Sequence, residues 1–464
     1  MRSILVTASA LALAACAAGP DYVAPLPAPK ATGTFVTTSP AVTAAPIEGD
    51  WWRLYQDPVL DQLVTDALAA NTDVRVAIAH IAKARAALRG ARQDQLPQAN
   101  VSGSADYGRL PASQRAPGAP REDWQVDTGL DVSYEVDLFG RASRGVEAAR
   151  GDVGAAEADA GAVRVIVAAE TARAYADAAS ASERLGVARH IVELLDQSLG
   201  LTERRFQVGL ATRFDTARIA ALRDQRQAEV PALAAARDAA LFRLATLTGR
   251  TPAELPPEAA ARTTTLRLDQ PIPVGDGAAL LARRPDVRAA ERRLAAATAR
   301  IGVATADLYP RITLGGSGGS TGAGFGDVFG AGPLRWLLGG LISWNPNPGP
   351  ARARIAAAEA DSHAALADFD GTVLRALGET ETALSAYAHA LDRRTALQSA
   401  RNEAQTAITI ARARQREGDI DALQLLDSER TFADAEADLS AADAQIADFQ
   451  VDLFRALGGG WQGK

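Results

Sequence analysis

Residues 124–138 run Trp124, Gln125, Val126, Asp127, Thr128, Gly129, Leu130, Asp131, Val132, Ser133, Tyr134, Glu135, Val136, Asp137, Leu138. Large apolar side chains fall on even positions and acidic ones on odd positions. Successive side chains of a strand point to opposite faces, so this stretch is a strand with one greasy and one acidic face. A shorter alternation, Ala99, Val101, Gly103, Ala105 and Tyr107, precedes it across a loop bearing Pro, Gly and Arg at 108–123. Downstream, Ile312 and Leu314, then Leu334, Trp336, Leu338, Gly340, Ile342 and Trp344, flank a Gly-rich loop at 315–333. Two hairpins result, 98–138 and 311–345, with strands of about ten residues, the length of a membrane-barrel strand. The same alternation also fits a half-buried hairpin on a soluble helical core. If the strands lie in a bilayer, one chain is not enough. A bilayer tolerates no open sheet edge, and the smallest membrane barrels use about eight strands, so several chains must share one barrel.

Outward from this strand the chain repeats itself. Asp73, Val74 and Arg75 recur as Asp286, Val287 and Arg288, and at the same offset Asp94 and Pro97 recur as Asp307 and Pro310. Further on, Gly140, Asp152, Glu170, Thr171 and Gly209 recur as Gly349, Asp361, Glu379, Thr380 and Gly418, the offset now four residues shorter. Each copy orders helix, two strands, long helix, turn, long helix. The expected organisation is a signal peptide at 1–15, an N-terminal extension at 16–50, a first repeat at 51–250 with its turn near 209, a linker at 251–280, a second repeat at 281–457 with its turn near 418, and a tail at 458–464.

Composition fits long helices. Apolar residues make up 47% of the chain but aromatics only 5%, leaving an Ala-rich apolar set that favours helix and permits close helix approach. No proline occurs between Pro120 and Pro231 or after Pro350. A helix from about Ala142 to Val208 would extend ~100 Å at 1.5 Å per residue, beyond any globular core. Leu185, Ala188, Val192, Leu195, Leu199, Thr202 and Phe206 step by three and four, the coiled-coil spacing. After Gly418 the series Leu423, Leu426, Arg430, Ala433, Ala437, Ser440, Ala444, Ala447, Val451 and Phe454 does the same. A second series, Leu425, Phe432, Leu439, Ile446 and Leu453, recurs every seventh residue on another face of that helix. A helix with two seams has a neighbour on each side; repeated, that closes a cylinder of helices, although a filled bundle allows the same spacing.

The amino end combines Arg2, a short apolar run from Ile4 to Leu13, and Leu13, Ala14, Ala15, Cys16. That is the form of a bacterial lipobox, in which the cysteine is acylated after the leader is cut; an ordinary secretory leader with an incidental cysteine is the alternative. Cys16 is the only cysteine, so no intrachain disulfide or cysteine-based metal site exists. The net charge of −7 with interspersed signs argues against nucleic-acid binding. His80, His190, His363 and His389 lie on separate helical stretches without clustered ligands, and no catalytic constellation or cofactor site is present in the sequence.

Several stretches together resemble the outer-membrane factor family, the TolC-like channels, and within it the lipoprotein efflux subgroup. They are Cys16 with Gly19, Pro20, Asp21 and Tyr22; Trp51 and Trp52 with Asp57, Pro58, Leu60, Leu63 and Asn71; Tyr134 and Glu135 with Asp137 to Arg141; and Arg283 to Glu291 with Tyr309, Pro310 and Arg311. The resemblance covers essentially the whole chain, with one departure at Ser343 to Pro350, where relatives carry a Phe-containing turn. It implies a mostly α protein with membrane β: a homotrimer with a twelve-strand β-barrel continued by a twelve-helix coiled-coil α-barrel. It further implies an exit channel in the bacterial outer membrane, held there by lipid on Cys16, working with a periplasmic adaptor (membrane fusion) protein and an inner-membrane RND pump. The turns Val208, Gly209, Leu210, Ala211, Thr212 and Glu417, Gly418, Asp419, Ile420, Asp421 match the family's adaptor-binding tips; each is also simply a tight turn that needs glycine. Leu423, Asp427 and Arg430, on one helix face, match residues that close the pore in similar channels. A type I secretion channel and a poreless periplasmic lipoprotein scaffold are the other readings.

Overall fold

The computed structural model describes residues 17–26, 29–46, 49–109, 111, 113, 115, 117–118, 120–322, 325–328 and 334–460. The leader at 1–15, Cys16 and the end of the tail beyond Gly460 lie outside the described residues. In chain order the elements are β1 (Val42–Thr43), α1 (Pro58–Ala70), α2 (Thr72–Gln93), β2 (Gln98–Arg109), β3 (Glu122–Val136), α3 (Arg141–Gln207), α4 (Arg213–Gln227), α5 (Glu229–Leu247), β4 (Ile272–Pro273), α6 (Gly277–Arg283), α7 (Pro285–Ala306), β5 (Arg311–Gly322), α8 (Phe325–Val328), β6 (Leu334–Ser343), α9 (Gly349–Glu417) and α10 (Ala422–Ala456). The chain is mostly helical, and no described helix is long and apolar enough to cross a membrane.

The chain forms two compact units, and they do not follow the two sequence repeats. One unit takes residues up to Pro25, His80–Glu157 and Ala289–Asp370; the other takes Leu26–Ala79, Ala158–Arg288 and the chain from Gly371 on. Each draws on both copies because corresponding elements pack against one another instead of within their own copy. β3 pairs with β5 across the repeat, and Leu199 and Ile219 of the first copy pack on Leu426 of the second.

The first unit is built on an antiparallel sheet ordered β2-β3-β5-β6. Register places Val101 opposite Leu130 and Tyr107 opposite Trp124. Across the join it places Leu130 opposite Gly318, and Gly318 opposite Trp336. The even-numbered apolar series of β3 and the apolar series of β6 therefore share one face, which is largely uncovered: Trp336 is 73% and Leu338 75% exposed, although Val126 of β3 is buried. Gly319 permits the β3–β5 pairing, since a Cβ there would lie 2.2 Å from the Thr128 carbonyl oxygen.

The Tyr134-to-Arg141 stretch makes the turn from strand to helix. The Asp137 carboxylate accepts from the backbone N–H of Ala142 at 3.0 Å and Ser143 at 2.7 Å, capping α3, and Arg141 forks onto Glu135 with two 2.8 Å bonds. Phe139 stacks on Tyr309 at 4.5 Å. At the divergent junction Ser343 to Pro350, the Asn345 side chain accepts from Asn347 N–H and the Asn347 side chain from Gly349 N–H, both at 3.0 Å, so two successive Asx turns deliver the chain into α9. The residues after Cys16 dock here as well. Ala18 N–H donates to the Phe139 carbonyl at 3.0 Å, Asp21 pairs with Arg144 at 2.6 Å, and the Tyr22 hydroxyl donates to Glu291.

The second unit has its core around Trp51, which stacks on Phe454 at 4.4 Å, with Leu60, Tyr175, Leu244, Leu280 and Ile446 buried beside it. Asp57 starts α1, accepting from Val59 and Leu60 N–H at 2.9 and 3.2 Å. It also receives the Tyr175 hydroxyl at 3.0 Å and Arg262 at 2.9 Å. Arg283 and Arg284 close the C-terminal end of α10: their guanidinium groups donate to the Leu457 and Ala456 carbonyls at 2.7 and 2.9 Å, where the helix leaves acceptors unpaired. Arg284 also binds Asp286 and Glu379.

α3 runs 67 residues without interruption. The return arm of the first pair is broken into α4 and α5 at Ala228. Pro231, in the first turn of α5, has no N–H to continue the α4 ladder, so the chain starts a new helix there.

Candidate functional site at the helical turns

The two turns at the ends of α3 and α9 have the same construction. Gly209 holds φ +78° and Gly418 φ +82°, the left-handed conformation that glycine adopts at little cost. After the first, Leu210 N–H donates to the Arg205 carbonyl at 2.7 Å; after the second, Asp419 N–H donates to Arg414 at 2.9 Å. Three residues beyond each glycine the next helix is capped. The Thr212 hydroxyl accepts from Asp215 N–H at 3.2 Å, and the Asp215 carboxylate accepts from the Thr212 hydroxyl at 2.7 Å and the Thr212 N–H at 2.8 Å, which together hold the Asp215 carboxyl below the usual range. Asp421 accepts from Gln424 N–H at 2.8 Å. Arg205 of the first arm reaches the Gln415 carbonyl beside the second turn at 3.4 Å.

Their surfaces differ. Val208, Leu210 and Phe214 are all well exposed at the first turn, with Arg218 lying 5.5 Å over the Phe214 ring. The second turn is charged: Asp419 is exposed and stands 3.6 Å from Arg414. One turn is therefore an apolar knob and the other a polar one.

Leu423, Asp427 and Arg430 lie on one exposed face of α10; Leu423 is 36% exposed. Within the chain Arg430 turns to Asp434, 3.8 Å away, and among the described residues Asp427 makes no ion pair. Two other sides of α10 are buried. Leu426 packs with Leu199 and Ile219, and Phe432 packs with Ala404 and Ile408. Leu423, Arg430 and Phe206, which belong to the three-and-four series, are thus left uncovered at the turn end while the rest of the first series on α3 is buried.

Glu429 was not singled out by sequence, yet it is 4% exposed between these faces and 3.5 Å from Arg412 of α9. Burial first of all pushes its carboxyl above the usual range, against the Ser198 hydroxyl and Arg412, which lower it. The signal was available: Leu425, Glu429 and Phe432 step by four and three, so a carboxylate occupies a seam position. Among the described residues no group of three His, Cys, Asp or Glu side chains could hold a metal ion.

The family model described as outer membrane efflux protein matches residues 63–250 and 278–459. The chain belongs to the outer membrane efflux protein family. Outer membrane protein OprJ of Pseudomonas aeruginosa is 33% identical over 97% of this chain and 94% of its own length. Antibiotic efflux pump outer membrane protein ArpC of Pseudomonas putida is 30% identical over 99% and 96%. The solved outer-membrane channel OprN superposes with a TM-score of 0.89 at 37% identity, covering 97% of this chain and all of that one. Membership in the outer membrane efflux protein family makes this chain an outer-membrane efflux channel, a transport protein and not an enzyme, and decides against the poreless scaffold. Both matched stretches reach across one of the two glycine turns.

Proposed function

We propose that three copies of this chain share one barrel in the outer membrane and form the exit duct of a tripartite efflux pump, reached through a periplasmic adaptor and an inner-membrane RND pump. The observation that carries the reading is the sheet of the first unit. Its outer strands β2 and β6 pair with no other described strand, and its apolar face is open. Three such four-stranded sheets joined edge to edge give a twelve-strand barrel with no edge left unpaired. The two glycine turns are the adaptor-binding tips, through Val208, Gly209, Leu210 and Thr212 on one and Gly418 and Asp419 on the other. Leu423, Asp427 and Arg430 form the pore gate: the leucines make an apolar ring that dewets, and the charges join neighbouring copies. Cys16 carries the lipid that holds the mature amino end in the membrane.

The test joins cysteines placed on the two outer strands, Ser104→Cys and Leu337→Cys. Disulfide-linked species stopping at three copies, and stepwise ion conductance of the purified protein in a planar bilayer, are the expected results. A detergent-free, stable monomer overturns the proposal.

A further inference from the structure

α9 and α10 are fastened by a ladder of polar contacts set seven residues apart. On α10 the rungs are Glu429, Glu436, Asp443 and Gln450, lying between the apolar positions Leu425, Phe432, Leu439, Ile446 and Leu453. Gln450 meets the Tyr387 hydroxyl at 3.2 Å, Asp443 meets Arg394 at 2.5 Å, and Glu436 meets Arg401 at 3.4 Å. As α10 is followed back in steps of seven, α9 is followed forward in steps of seven: 387, 394, 401. The next step on α9 is Ile408, an apolar residue 1% exposed. Glu429 is instead reached from a full turn further along, by Arg412 at 3.5 Å, and its second oxygen, like that of Glu436, has no partner.

The rungs weaken steadily toward the turn. Gln450 is fully buried and bonds Leu268 N–H and carbonyl, the Tyr55 hydroxyl and Tyr387. Asp443 has two guanidinium partners, Arg394 and Arg267 at 3.5 Å. Glu436 has one in register, and Glu429 one out of register. From α3, Glu429 faces Ser198; from α9, Arg412 and Ile408; on its own helix Arg430 is turned away to Asp434. A crevice of about 10 Å³, walled by Ile191, Leu195, Ile408 and Phe432, lies beside the carboxylate. A buried charge whose partner sits off register is worse than an apolar side chain of similar volume, because desolvation is not repaid.

We infer that Glu429 is a positioning residue, a deliberately weak last rung that keeps the first turns of α10 detachable from α9. The inference deepens the gate assignment, on which its functional meaning rests, because Leu423, Asp427 and Arg430 sit on the segment so loosened. In Glu429→Leu the mismatched charge gives way to a side chain that suits Ile408, and the segment is held more firmly. Removing a stabilising salt bridge would do the reverse.

Hydrogen exchange on the intact protein in detergent reads the segment directly. The expected result is exchange across 422–432 slower by about fivefold or more in Glu429→Leu, the lower end of what replacing a mismatched buried ion pair gives, with residues 443–453 unchanged. Glu429→Gln, which keeps the shape and removes the charge, should show a smaller slowing. Exchange that is unchanged or faster in both variants overturns the inference; a fold defect would show in 443–453 as well and leaves the Glu429→Gln result to decide. Conductance is measured on the same samples. Slower exchange with unaltered conductance retains the weak rung and rejects the gate assignment instead.

Discussion

Gly209 and Gly418 share one backbone conformation, φ +78° and +82°, and no atom lies within 4 Å of the Cβ that either lacks. The turn therefore needs glycine for its torsion and not for lack of room. Gly209→Ala should lower stability by about 1 kcal/mol, the usual cost of forcing an L-residue into the left-handed region, and leave efflux working. Gly209→Trp should abolish efflux, measured as antibiotic susceptibility, while trimer levels in the outer membrane stay normal. Loss of the trimer would assign the residue to folding alone.

The gate assignment predicts a gain of leakiness. Asp427→Ala combined with Arg430→Ala removes the charges but leaves the buried side of α10, with Leu426 and Phe432, untouched. Single-channel conductance in planar bilayers should rise severalfold. Conductance equal to that of the unaltered channel rejects the gate.

Asp448 gives the stability a pH dependence. Burial, followed by the negative charge of Asp177, pushes its carboxyl up to about 7 from an ordinary 3.8. The folded protein therefore holds this proton more tightly than the unfolded chain. The resulting stabilisation is complete below about pH 4 and is lost as pH rises through about 7. Asp448→Asn, which cannot ionise, should raise the melting temperature at pH 8 and change it little at pH 5. An equal shift at both values would show that charge is not the cause.

Asp57 joins three structures: the start of α1, the Tyr175 hydroxyl of α3 and Arg262 of the linker. Asp57→Ala removes a helix cap, leaves the buried Tyr175 hydroxyl unpaired and takes a partner from the half-buried Arg262, a loss of about 2–3 kcal/mol. Chemical denaturation monitored by circular dichroism should show it. Asp57→Asn should recover the cap and much of the loss.

The elements whose information is local were legible. The parity of residues 124–138 fixes a strand, and the pair of glycines both turns. The break in the return arm at Ala228, where one long helix was expected, appears only in three dimensions, with Pro231 in the first turn of the new helix. What could not be read is held by distant partners. Arg284 is secured by the Ala456 carbonyl, 172 residues away, and by Glu379, 95 residues away, and no spacing rule connects them. Glu429 was hidden for a different reason. A seam is recognised by its apolar members, and a carboxylate in the same row reads as surface until the partner helix supplies its register. The repeats were visible as sequence but not as bodies, because pairing β3 with β5 and packing Leu199 on Leu426 mixes the copies.

The grip of Ala18, Asp21 and Tyr22 on Phe139, Arg144 and Glu291 moors residues 18–22 at the junction of β3 and α3. One residue of sequence separates Cys16 from Ala18, so an acyl chain on Cys16, as proposed above, would be tied close to the foot of β3. On that proposal, lengthening the stretch between 16 and 18 would free the acyl chain to wander, and the amino end would no longer set the depth of the strands in the lipid.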